Sequence, residues 1–125
     1  MLERARKKHP RVEFVTGDVT TVRLDRPVER GICTYGLSMV DAWEDALRNM
    51  HRHLAPGGVL VLLDFHALGG ALRPADPLFR WWLARFGVAP GRDLVRPLET
   101  LFERVDRVVR RSGYDVLVRA SGPRA

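Results

Sequence analysis

A single cysteine, Cys33, excludes any disulfide within the chain and makes a reducing compartment the expected setting. It lies in an apolar, strand-prone segment with no His or Asn partner beside it, so it reads as a small buried hydrophobe and not as a nucleophile. No apolar run comes near the roughly 20 residues that span a bilayer. The first ten residues, MLERARKKHP, contain no apolar core of a secretion signal, and a cytoplasmic protein is expected. Internal repeats, low-complexity tracts and nucleic-acid recognition motifs are absent. Lysine is scarce too, so the net charge of +6 comes almost entirely from arginine, scattered among acids. That excess fits an arginine-rich surface or attraction to an anionic membrane, without a specific nucleic-acid site. His51 and His53, two apart on an expected helix, cannot share a face and form no metal pair.

What is present is organised around residues 54–66, LAPGGVLVLLDFH. A Pro-Gly-Gly turn leads into an unbroken Val/Leu run, the pattern of a central parallel strand with helices on both faces. Ligands of open α/β sheets bind beyond the carboxyl ends of the strands, which brings Asp64, Phe65 and His66 to the expected site. His66, titrating near neutrality, is the candidate general base.

The flanking segments follow the same logic. Residues 2–8 read as a helix stopped before Pro10, residues 12–15 as a strand with a loop at 16–19, and residues 31–35 as a second strand. Asp41, with Glu44 three residues on, predicts the cap of a helix that carries Trp43, Ala46, Leu47, Met50 and Leu54 on one face. A connection at 67–74 precedes a short helix from Asp76 or Pro77 to Phe86. There Trp82 is expected in the core with Trp81 as a partly exposed cover. The alternative is an interfacial helix, with Trp81 at head-group depth and Arg85 on lipid phosphate. Leu98, Leu101, Phe102, Val105, Val108 and Val109 predict a helix over 96–111 ended by Ser112-Gly113, and residues 114–119 a last strand. The alternation implies an α/β fold with a parallel sheet in one domain, 1–125.

Three segments carry a family resemblance: VEFVTGDV at 12–19, ICTYGLSMV at 32–40, and ALRNMHRHLAPGG at 46–58 with the strand that follows. With them the chain resembles the latter part of the class I S-adenosylmethionine-dependent methyltransferases. Two branches look nearest: enzymes that N-methylate lipid head groups and quinone-biosynthesis C-methyltransferases. YGLSM at 35–39 followed by Trp43, and FRWWLARFGVAP at 79–90, resemble the first more. The resemblance implies S-adenosyl-L-methionine as cofactor, with Asp18 and Val19 at its adenine and Thr34, Tyr35 and Gly36 beside its methionine portion. It implies a small-molecule or lipid head-group acceptor, for which positioning and desolvation matter most, and a base only if the acceptor arrives protonated.

The same comparison shows what is missing. No G-x-G-x-G loop follows a strand, and the acid that would hold the ribose hydroxyls has no counterpart. The family's first two strands lie between its third and fourth, so residues 12–15 and 31–35 are each expected to lack a neighbour, at roughly 1 kcal/mol or more per buried unpaired group. The expectation is an incomplete Rossmann-like class I methyltransferase sheet: a truncated or split fragment that binds cofactor poorly until a complementary chain or a second copy completes it. An in-frame D-x-G-x-G-x-G upstream of Met1 would indicate a start codon placed too late. A non-catalytic interaction module, pairing its open strand edge with a partner, is the alternative.

Overall fold

Strand β2 (Leu54–Phe65) is the longest element and lies inside a four-stranded sheet of order β1-β2-β4-β3. The computed structural model describes residues 2–109 and 114–125. On one side β2 pairs in parallel with β1 (Val28–Thr34); on the other it pairs antiparallel with β4 (Asp115–Pro123), which is flanked by antiparallel β3 (Phe102–Val109). The register jumps from Val28↔Leu54 to Arg30↔Val59, so residues 55–58 bulge out of the ladder. Two glycines make this possible: Gly57 has φ 75, and a Cβ on Gly58 would stand 2.8 Å from the Ala55 carbonyl oxygen.

Helices α2 (Trp43–Arg52) and α4 (Val95–Leu101) pack on one face of the sheet. Leu60 and Leu62 of β2, with Val116, Val118 and Ala120 of β4, meet Ala46, Leu47, Leu98 and Phe102 in a single buried core. The face of α2 is the one its spacing predicts. Its cap is not: the N-cap is Ala42, with no side-chain bond, in place of Asp41. Glu44 and Asp45 pair instead with Arg48 at 3.2 and 2.7 Å, exposed contacts of small energetic value. Helix α1 (Leu2–Lys8) stops short of Pro10 and buries no residue. Helix α3 (Asp76–Ala84) follows a 3₁₀ turn, Gly70–Ala75.

Three features of the sheet depart from the sequence expectation. Residues 12–15 form no strand, because no ladder partner reaches them. The expected helix over 96–111 is split: residues 96–101 belong to α4, and from Phe102 the chain extends as β3, while the expected stop at Ser112-Gly113 lies outside the described residues. The sheet is mixed, with a last strand that runs antiparallel and further than 114–119. Helices α2 and α4 cover one face of it. On the other, Ile32 is 74% exposed in the middle of β1, Val61 and Leu63 are half-buried, and Leu117 and Val108 are exposed.

Candidate functional site

The parallel pair ends side by side, with the Tyr35 amide donating to the Leu63 carbonyl at 2.7 Å. Tyr35 is left-handed, φ 50, a conformation that costs a non-glycine residue about 1–2 kcal/mol and turns the chain sharply off β1. Gly36 and a 3₁₀ turn, Leu37–Met39, follow. The buried Asp64 holds that turn against β2: its carboxylate accepts the Ser38 amide at 2.9 Å and the Phe65 amide at 2.8 Å. Both oxygens therefore serve the backbone. Arg92 clamps the same turn, donating to the Leu37 and Val40 carbonyls at 2.5 and 2.6 Å while its guanidinium lies over Trp43 at 5.6 Å. Sequence reasoning misses Arg92, since nothing local links it to a turn more than fifty positions away.

Beyond these strand ends stands an aromatic wall. The Tyr35 ring meets Phe65 at 4.8 Å, and Phe65 meets Phe79 of α3 at 6.4 Å. The Tyr35 hydroxyl donates to buried Asp115 at 3.2 Å. Burial foremost, then hydrogen bonds to Tyr114 and Asp115, pushes this phenol up to about 12, so at neutral pH it is a donor and not a base. Cys33, half-buried, has its thiol pushed up by burial and by Asp64, which fits an unreactive side chain.

His66 follows the wall, its amide donating to the Tyr114 carbonyl at 2.7 Å. Its Nε2 stands 3.1 Å from an Arg107 nitrogen, and a guanidinium only donates, so Nε2 accepts and the ring proton sits on Nδ1. Burial, then Arg107 and Arg80, lowers its pKa against a smaller opposing effect of Asp76. The lone pair that a general base would use is turned to a cation, an arrangement that does not suit the base role expected for His66.

Asp18 and Val19 lie elsewhere. The Asp18 carboxylate accepts the Thr20 amide and hydroxyl at 2.8 and 2.7 Å, which lowers its pKa. Its loop is pinned to the end of α2: Asn49 donates to the Val19 and Val22 carbonyls at 3.0 and 2.9 Å, and His53 accepts the Leu24 amide at 3.1 Å. These anchors stand near Leu54, where β2 begins; Tyr35 stands beside Leu63, near its end. An apolar groove of about 190 Å³, lined by Val19, Val22, Leu24, Ile32 and Met50 among others, follows the open edge of β1 without including Thr34, Tyr35 or Gly36. Val19 thus shares a groove with Ile32 of β1, while Thr34, Tyr35 and Gly36 follow at the end of that strand. Trp81 and Arg85 are exposed and outside this cluster of ring contacts, the Arg85 guanidinium 5.5 Å from the Trp81 ring centre.

Residues 1–58 match the family model of a methyltransferase domain. Over 94 residues the chain is 35% identical to 2-phytyl-1,4-naphtoquinone methyltransferase of Thermosynechococcus vestitus, covering 73% of this chain and 40% of that protein. In sequence and in fold the chain is similar to S-adenosylmethionine-dependent methyltransferases. The N-methyltransferase NodS of Bradyrhizobium japonicum, in complex with S-adenosyl-L-homocysteine, superposes with a TM-score of 0.70 at 19% identity, over 98% of this chain and 62% of that one. A methyltransferase from Thermotoga maritima gives 0.73 at 18%, over 97% and 68%. The chain therefore spans 40% of the curated methyltransferase it matches and about two thirds of these structures. The family and the S-adenosyl-L-homocysteine held by NodS indicate S-adenosyl-L-methionine as the cofactor; in this chain the Asp18 carboxylate, expected at the adenine, is bonded to the Thr20 amide and hydroxyl within its own loop.

Proposed function

We propose that the chain is the carboxyl-side part of an S-adenosylmethionine-dependent methyltransferase domain, and that it gains cofactor binding when further strands are added along the open edge of β1. The observation that carries this reading is Ile32, 74% exposed at the centre of an edge strand and beside an apolar groove. An edge of this kind is a template for another strand, and leaving it bare exposes both hydrogen-bonding groups and apolar surface. With two strands added there, residues 12–15 would find a ladder on their far side, and the Asp18 loop would be drawn toward the strand ends.

The acceptor is proposed to be a small molecule or a lipid head group, methylated at nitrogen, which the aromatic wall of Tyr35, Phe65 and Phe79 would shield from water. The 35% identity to a naphthoquinone methyltransferase favours a second reading, methylation at carbon of a lipid-soluble quinone precursor. The test is methyl transfer from labelled S-adenosylmethionine by the chain fused behind the amino-terminal part of the Thermosynechococcus vestitus enzyme, assayed with amino-lipids and with quinone precursors. Transfer to one of these classes, absent with the unfused chain, is expected. A fused, folded protein that binds the donor and methylates neither would overturn the enzymatic reading and leave an interaction module.

A further inference from the structure

We propose that the outward face of α3 docks on an anionic lipid surface. The helix buries only Leu83. Leu78 is 67% exposed, Trp81 59%, Trp82 51% and, just past its end, Phe86 60%. At about 100° per residue, Leu78, Trp81, Trp82, Arg85 and Phe86 fall on one arc, opposite Leu83 and the half-buried Asp76. Trp82, expected in the core, therefore stands on the outer surface. It meets Phe86 edge-on at 5.2 Å, and Arg85 covers the Trp81 ring at 5.5 Å, so the patch is a continuous apolar surface with a cation set into it. A contiguous patch of large aromatic residues is uncommon on a surface that meets only water.

Charge decides the occupant. Arg73, Arg80 and Arg85 stand on this segment, while its one acid, Asp76, is paired with Arg80 at 2.7 Å. The whole chain carries +6, so a second copy brought face to face meets like charge, whereas an anionic bilayer meets opposite charge. Tryptophan suits head-group depth because its ring is apolar and its N–H is polar. Arginine extends its charge to phosphate while its stem stays on apolar surface. No helix among the described residues is long and apolar enough to cross a membrane, so α3 would lie in the plane of the interface.

The inference goes beyond the methyltransferase reading and stands without it, because it needs no cofactor. The experiment is vesicle flotation of the 125-residue chain with pure phosphatidylcholine and with vesicles containing about one-third phosphatidylglycerol, together with tryptophan quenching by brominated lipid. Expected are binding to the anionic vesicles that weakens with salt, quenching in the bound state, and at least about tenfold weaker partition onto phosphatidylcholine. Trp81→Ser with Trp82→Ser, and separately Arg85→Glu, should each lower partition about tenfold with an unchanged circular dichroism spectrum. Failure to bind, or equal binding to both vesicle types, would overturn the proposal. So would sedimentation showing a dimer that the tryptophan variants dissolve, since a second copy would then cover the face.

Discussion

Asp64, buried near the end of β2, holds the turn that follows β1. The end of a buried strand is where chemistry is expected, and the carboxylate is there, yet both oxygens hold backbone amides at 2.9 and 2.8 Å. Asp64→Ala would leave the Ser38 and Phe65 amides without an acceptor and is expected to cost about 2–4 kcal/mol in urea unfolding, with Asp64→Asn costing less. His66 is legible as a strand-end histidine, but its partner Arg107 is not, being brought across the sheet by pairings no local pattern contains. With its pKa held below the ordinary value of about 6.5 by burial and by Arg107, the folded state takes up fewer protons than the unfolded one just below that pH. Stability from this group is therefore present above about pH 6.5 and lost as pH falls toward the folded pKa. Proton NMR should find the His66 titration below 6.5, and Arg107→Gln should move it up.

At the scale of elements, α2, β2 and α3 were readable because each carries one unambiguous period or an unbroken apolar run bounded by turn residues. Residues 102–109 were not. Val105 and Val108 are spaced like a helical stripe, but in β3 they face opposite sides, Val105 against Ala120 and Val108 against Leu117. Pairing with β4 satisfies a ladder that β4 would otherwise leave open on that side, and tertiary context of this kind overrides spacing. The two readings agree at Leu98 and differ at Val108. Leu98→Ala, in the core, should cost about 2–5 kcal/mol. Val108→Ser should stay within about 0.5 kcal/mol, since this side chain is exposed in the strand, where a helical stripe would have buried it.

For the whole molecule, the order of segments made the family resemblance legible, and the neighbouring strands β1 and β2 are parallel as that order implies. What covers the second face of the sheet was not legible, because an unbroken Val/Leu run is compatible with helices on both faces and does not say who supplies them. Ile32→Ser should accordingly leave the thermal midpoint of this chain nearly unchanged while weakening its association with added strands. The cofactor crevice proposed for this fold lacks a wall along the open edge of β1. Isothermal titration of the folded 125-residue chain with S-adenosylmethionine examines that directly. No saturable heat is expected at millimolar ligand; a saturating isotherm in the micromolar range would contradict the account.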